Sequence, residues 1–253
     1  MNRTGFSTLI TREIFRFVIL SRQTIFPPLI TTLLFILIFG YSLGSRIDQI
    51  DGFKYVTYIL PGLAQMGLIT SAFSHSSFSI FMAKFERSIE NFLVAPLHYL
   101  EIVVAFIVGG LCRGFTVGAM SLLVAVFFVD FPLPHPGLLI VSWLASGIFF
   151  ASAGVIVGTL ATNWDHLQTA NNFVLTPLIY LGGSFYSVRM LPEFWQNISE
   201  LNPIYYSIDL TRYSILGISD LNPWTSLACL AVFGVITITV AVVLFRRGVN
   251  LIN

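Results

Sequence analysis

The chain consists of long apolar stretches separated by short polar segments. Six stretches contain no Asp, Glu, Lys or Arg, apart from one internal arginine, and each is long enough to cross a bilayer as a helix of about 20 residues. They are continuously apolar and do not alternate, so they predict helices and not barrel strands. The six stretches are 23–45, 55–83, 102–129, 131–164, 166–188 and 221–245. The pattern predicts an all-α membrane protein with one transmembrane domain over 1–253.

Small residues recur within two of these stretches. Gly110, Gly114 and Gly118 are four residues apart in the third stretch, and Gly154 and Gly158 are four apart in the fourth. This spacing lets helix backbones approach closely, which favours association where lipid supplies no hydrophobic driving force. We expect these faces to pack against neighbouring helices.

The segment 1–22 predicts an amphipathic helix before the first span. Its basic residues Arg12 and Arg16 fall on a different face from its apolar residues. It has no long apolar core and no small-residue cleavage site, so it is not a signal peptide. We expect it to lie in the cytoplasmic membrane interface, where it could bind lipid or dock a partner. The predicted apolar face is Phe6, Ile10, Ile14 and Phe17.

The segment 83–97, between the second and third stretches, predicts a short helix that ends before Pro96. Its apolar residues share one face and its charged residues lie elsewhere.

With the termini inside, the cytoplasmic segments carry eight basic residues and the outer loops carry four, so the positive-inside rule places both termini in the cytoplasm. Because the other cytoplasmic loop, 162–167, is very short, a cytoplasmic partner must bind 83–97 and the N-terminal helix.

The segment 187–222 is rich in aromatic residues and also has helix signals. Pro192 predicts the start of one short helix, and Asn202 with Pro203 predicts the start of another that ends near Gly217. We expect a re-entrant helical hairpin on the extracytoplasmic side, which is tolerated where it is buried against protein. An interfacial aromatic belt is the alternative. The residues singled out here are Tyr186, Trp195, Asn202, Pro203, Asp209 and Arg212.

Composition narrows the class of protein. Hydrophobic residues make up 56% of the 253 positions, charged residues only 10%, and the formal net charge is +1. These values exclude a soluble enzyme and leave no basic field for nucleic acid. No phosphate-loop motif, metal-spaced histidine pair or nucleophile-elbow serine occurs. We therefore expect no catalytic site, metal or cofactor on this chain.

Two ionisable residues fall at membrane depth. Arg113 lies inside the third stretch, and a buried arginine requires a partner or a wet cavity. It either meets an anionic substrate in a pathway or ties helices together. His75 lies inside the second stretch and is explained by simple packing or a similar pathway role. No carboxylate lies away from the span ends, which argues against a proton-coupled carrier.

Two stretches resemble the permeases of the ABC-2 type transporter family, in particular the small bacterial permeases grouped with daunorubicin-resistance and nodulation-factor exporters. One stretch, 84–97, reads KFERSIENFLVAPL. The other comprises LGGSFYS at 181–187, LPEFW at 191–195 and LNPIYYSIDLTR at 201–212. Leu60-Pro61-Gly62 and the Arg113-Gly114 pair are also similar to this family, and the resemblance runs essentially end to end.

The resemblance implies a six-span subunit of the bacterial plasma (inner) membrane, paired with a second copy and with two ATPase subunits that carry ATP and Mg. It implies export of a lipid-like, drug or glycan substrate, in contact with membrane lipid. An ATP-independent carrier or channel and a membrane-embedded lipid or glycan transferase are the alternatives. The residues implied to contact the ATPase are Lys84, Phe85, Glu86, Arg87, Ile89, Glu90 and Asn91, with Arg12, Glu13 and Arg16.

Overall fold

The computed structural model describes residues 3–19, 21–39 and 49–251. Positions 1, 2 and 20 of the predicted N-terminal helix and positions 40–45 of the first predicted span lie outside these residues. The helices are α1 (Arg3–Ile19), α2 (Ser21–Leu37), α3 (Tyr55–Phe85), α4 (Ile89–Val94), α5 (Tyr99–Val126), α6 (Pro136–Leu160), α7 (Trp164–Thr169), α8 (Thr176–Leu181), α9 (Glu193–Glu200), α10 (Pro203–Leu216) and α11 (Pro223–Arg246).

Three short elements lie between these helices. Strands β1 (Gln49–Ile50) and β2 (Phe53–Lys54) form an antiparallel hairpin before α3. Asp51 and Gly52, which join them, both have positive φ, as a two-residue hairpin turn requires. A π-helical turn, Ala170–Leu175, joins α7 to α8, and a single 3₁₀ turn, Val188–Met190, precedes α9.

Four helices in the described residues are long and apolar enough to cross a membrane: α3, α5, α6 and α11. The bent pair α1 and α2, which meet at 55°, would make a fifth if it crosses as one unit. The predicted span 166–188 falls on α7, the π-helical turn and α8. Its first half carries the uncharged polar residues Gln168, Asn171 and Asn172. The absence of charged residues therefore makes this stretch look more apolar than it is. Six spans therefore remain a prediction, whereas the all-α membrane architecture is confirmed.

α3 is the centre of the bundle, with α5 and α6 packed along it. The small residues pack against a neighbouring helix, as predicted, and the structure shows that this helix is α3. A Cβ atom added at Gly114 would lie 2.8 Å from the carbonyl oxygen of Leu68, and one added at Gly158 would overlap the backbone of Ser77. The predicted close approach of helix backbones is confirmed on both sides of α3.

The helices outside the long spans also follow the sequence signals. α4 ends at Val94, ahead of Pro96. Asn202 caps the start of α10, and Gly217, with a φ of 79°, caps its end after Leu216. The expected apolar face of α1 needs correction. The fully buried row is Leu9, Glu13 and Phe17, with Phe6 and Ile10 only partly buried beside it. The carboxylate of Glu13 can be buried because α3 supplies polar partners for it.

Candidate functional site

The turn between α3 and α4 is defined here as residues 84–91. α3 ends at Phe85, and the chain reverses through Arg87, whose φ of 55° lies in the left-handed region. The backbone N–H groups of Glu86 and Arg87 donate to the carbonyls of Met82 and Lys84 at 2.9 Å. These bonds satisfy the end of α3 and set the direction of α4.

The side chains of the α3–α4 turn divide into an exposed set and a buried set. Phe85 is 70% exposed, whereas Ile89 is 1% exposed and belongs to the core. The exposed polar members are Glu86, Arg87, Glu90 and Asn91. The turn thus presents a mixed-charge surface with one aromatic ring, supported from below by an apolar anchor.

Lys84 points away from this surface. Its ammonium group donates hydrogen bonds to the carbonyls of Gly158 at 3.1 Å, Thr159 at 2.6 Å and Ala161 at 2.7 Å. A cation is stabilised at the carboxyl end of a helix, where carbonyls lack partners. Lys84 therefore fastens the α3–α4 turn to the end of α6, and a direct role against a partner stays a prediction.

The Lys84→Met substitution keeps the aliphatic stem and removes the three donors. Because hydrogen bonds to charged groups contribute about 1.5–3 kcal/mol, we expect a loss of about 2 kcal/mol in the free energy of unfolding. Denaturant titration in detergent would measure it. Lys54→Met, at an exposed position in β2, is the matched control and should change stability by less than about 0.5 kcal/mol. Equal stability of the two variants would contradict this role for Lys84.

The predicted ATPase-contact residues of α1 lie at the same end of the bundle but differ in exposure. The guanidinium of Arg12 lies 4.9 Å from the ring centroid of Phe92, in α4, and the guanidinium of Arg16 lies 5.5 Å from that of Phe78. Glu13 is fully buried and accepts a hydrogen bond from the hydroxyl of Ser79. α1 is thus attached to both α3 and α4, with Glu13 inside the protein and not on a free surface.

His75 and Arg113 come together beside Glu13. The Nε2 atom of His75 lies 3.7 Å from a carboxylate oxygen of Glu13. A Cβ atom added at Gly109 would lie 2.9 Å from both His75 Nε2 and Glu13 Cβ, so the glycine makes room for this contact. Arg113, one turn further along α5, lines a cavity of about 310 Å³ with His75 and Arg16. The sequence predicted these residues separately, and the structure brings them to one place.

The motifs at the opposite end of the bundle also converge. The carbonyl of Gly183 accepts a hydrogen bond from Arg212 at 2.6 Å, and the guanidinium of Arg212 lies 4.4 Å from the ring centroid of Tyr58. Gly62 of α3 packs directly on the backbone of Ser184. The Leu60-Pro61-Gly62, 181–187 and 201–212 motifs therefore form one packed unit, although they lie far apart in sequence.

Asn202 and Asp209 fix this unit. The amide of Asn202 donates to the carbonyl of Leu178 at 2.6 Å, and its oxygen caps α10, whose first residue is Pro203. The carboxylate of Asp209 accepts the backbone N–H groups of Asp220 at 2.6 Å and Leu221 at 3.2 Å. Burial raises the pKa of Asp209 to about 6, with these two donors acting in the opposite direction.

The other aromatic residues singled out in this region are more exposed. The hydroxyl of Tyr186 donates to the carbonyl of Tyr180 at 3.0 Å, and Trp195 lies on exposed α9, edge-on to Phe194. α10, in contrast, is largely buried against α3, α6 and α11. Whether 187–222 forms a re-entrant hairpin in a membrane stays a prediction.

A buried polar network links α3, α6 and α10, and the sequence reading missed it. Gln65 donates to the hydroxyl of Ser207 and accepts from Thr211 at 2.9 Å. Ser207 then donates to Ser146 at 2.7 Å, and Thr211 and Ser142 lie 3.0 Å apart. The available signal was two pairs of hydroxyl residues spaced four apart, one in α6 and one in α10, which places each pair on one helix face.

Among the described residues, no group of three or more His, Cys, Asp or Glu side chains could hold a metal ion. The arrangement instead comprises a central apolar bundle, an exposed charged turn at one end and a tightly packed helical cap at the other. These features define a helical membrane protein.

Comparison with known families agrees with this class. The family model for the ABC-2 type transporter matches residues 4–216, and the chain belongs to that family. It is 41% identical over 237 residues to the inner membrane transport permease YadH of Escherichia coli, covering 94% of this chain and 93% of YadH. It is 28% identical to nodulation protein J of Sinorhizobium fredii, covering 82% of this chain and 80% of that protein. The resemblance inferred from the motifs is confirmed.

Proposed function

We propose that this chain is the membrane subunit of an ATP-driven exporter of the bacterial inner membrane, working as two copies with two separate ATPase subunits. The membrane helices would be α2, α3, α5, α6, the α7–α8 unit and α11, with α1 in the interface and both termini cytoplasmic. The cargo class would be a lipid-like, drug or glycan molecule. ATP and Mg would be bound by the ATPase subunits.

The observation that carries the proposal is the α3–α4 turn. It exposes Phe85, Glu86 and Glu90 while Lys84 and Ile89 hold it to the bundle. Such a surface suits a partner that moves it. Because the turn is attached to α3 and α6, these helices would move together with it. The partner must supply the energy, since the sequence contains no phosphate-loop motif.

The proposed mechanism follows from these attachments. Closure of the ATPase subunits on ATP would move the α3–α4 turn together with α1, because Arg12 lies against Phe92 of α4. The helices would then shift as rigid bodies and favour a state open to the other side. In this view the chain converts a movement at one end into a change of access between the two copies.

Co-purification tests this proposal. The full chain, tagged and co-expressed with a candidate ABC ATPase from the same genome, should retain that ATPase through affinity purification in detergent. The complex should hydrolyse ATP, whereas the chain purified alone should not. Movement of cargo by vesicles that contain this chain without any ATPase would contradict the proposal and favour an ATP-independent carrier.

A further inference from the structure

The cavity beside Arg113 contains more cationic groups than anionic ones. Arg16 and Arg113 both line it, and His75 faces it from α3. Among the described residues near it, Glu13 is the buried carboxylate, and Glu13 is already engaged by Ser79, by Arg12 at 3.6 Å and by His75 at 3.7 Å. The cluster of described residues therefore has an excess of positive charge.

One buried nitrogen atom at this cavity, Nε of Arg113, has no hydrogen-bond partner in the described part of the chain, whereas Nε2 of His75 faces Glu13 at 3.7 Å. An unsatisfied buried donor is costly, and a buried arginine is costlier still at membrane depth. A ligand with anionic oxygens would satisfy Arg113 and would balance the excess charge.

A separate apolar groove lies along the same face of α3, next to the cavity in the helix register. It has a volume of about 250 Å³ and lies between α2 and α3. Leu63, Met66 and Thr70 of this groove precede Ser74 and Phe78 of the cavity at intervals of three or four residues, so they form one stripe on the helix. On the α2 side the groove is lined by Pro27, Thr31 and Phe35.

The dimensions of the cavity and groove match one leaflet of a bilayer. From Leu63 to His75 is twelve residues, or roughly 18 Å along a helix, close to half of a hydrocarbon core about 30 Å thick. α3 has 31 residues and so extends for about 46 Å, longer than that core. The cationic end lies ten residues before the end of α3, or roughly 15 Å, and beside α1, which is predicted to lie in the cytoplasmic interface.

We infer that the cavity and groove together form a binding site for a membrane lipid with an anionic phosphate group. Arg113 and Arg16 would bind the phosphate oxygens, since guanidinium groups match phosphate geometry. An acyl chain would lie in the groove between Thr31 and Met66. The site does not depend on coupling to ATP, because lipid binding needs no nucleotide.

Native mass spectrometry of the delipidated full chain in detergent would test the site. The probes are dioleoylphosphatidylglycerol and dioleoylglycerol, which has the same acyl chains and no phosphate. We expect the phospholipid to bind at least about ten-fold more tightly, and the Arg113→Gln substitution to lower its affinity by about ten-fold or more. Arg246→Gln removes an exposed arginine elsewhere and should leave the affinity unchanged.

Two further arms separate the sources of phosphate and the possible occupants. The Thr31→Trp substitution fills the groove and should weaken phospholipid binding, while millimolar inorganic phosphate should not displace the lipid. Displacement by inorganic phosphate, with no effect of Thr31→Trp, would overturn the lipid assignment in favour of a soluble anion. Equal lipid retention by wild type and by folded Arg113→Gln and Arg16→Gln variants would overturn it outright. Thiol labelling of a lipid-free Thr31→Cys variant gives a further test. If labelling decreases as the protein is concentrated, a second copy covers the groove and the lipid assignment is overturned.

Discussion

Replacing Glu86 and Glu90 together by lysine is expected to reduce retention of the ATPase subunit by about ten-fold or more. Both side chains are exposed on the α3–α4 turn. Charged groups at such a surface select the partner, and placing like charges together costs several kcal/mol. The loss of retention should be accompanied by a loss of ATP-driven transport.

The measurement is the amount of ATPase that co-purifies with the tagged chain, together with the ATP hydrolysis rate of the complex. The matched control is the double substitution Glu193→Lys and Glu200→Lys, which reverses two exposed glutamates on α9. The control variant should retain the ATPase fully. If both double variants retain it equally and hydrolyse ATP at the wild-type rate, the α3–α4 turn is not the coupling surface.

The Gly62→Ala substitution is expected to destabilise the protein by about 3 kcal/mol, from a single added methyl group. A Cβ atom at this position would overlap the backbone carbonyl of Ser184, which cannot move aside as a flexible side chain could. The neighbouring turn is also fixed, because Arg212 binds the carbonyl of Gly183. We expect lower yield and a lower unfolding midpoint in detergent.

Gly137→Ala provides the matched comparison. Gly137 lies in the first turn of α6, and a Cβ atom there would meet nothing within 4 Å. Alanine in a helix is favoured over glycine by up to about 1 kcal/mol, so this variant should be as stable as wild type or slightly more stable. A finding that both alanine variants unfold at the same midpoint would falsify the close packing of α3 on the segment 182–187, which follows α8.

The sequence predicted the helices where a local signal was strong. The apolar runs of α3, α5, α6 and α11 and the cap at Asn202 needed no knowledge of distant residues. The burial of Glu13 could not be predicted in this way, because the position reads as polar surface of an amphipathic helix. Its partners, His75 and Ser79, are more than 60 positions away and become neighbours only in the folded bundle.

The candidate sites likewise contain residues that a local sequence signal identifies and residues that only the fold identifies. The exposed residues of the α3–α4 turn could be identified from charge beside an apolar face, whereas the inward direction of Lys84 depends on where α6 ends. Gln65 had no local signal at all, because a single glutamine in an apolar helix does not indicate which hydroxyl groups will face it. The role of a polar residue inside such a bundle depends on which residues of other helices it pairs with.

α3 touches both ends of the molecule, and this has a mechanical consequence. At one end Lys84 binds it to the last carbonyls of α6, and at the other Gly62 lies against Ser184 with no space between them. α3 therefore joins the two ends of the bundle as one continuous helix of 31 residues. Under the proposed coupling, a displacement at Lys84 would be carried along α3 to its contact with the Ser184 backbone.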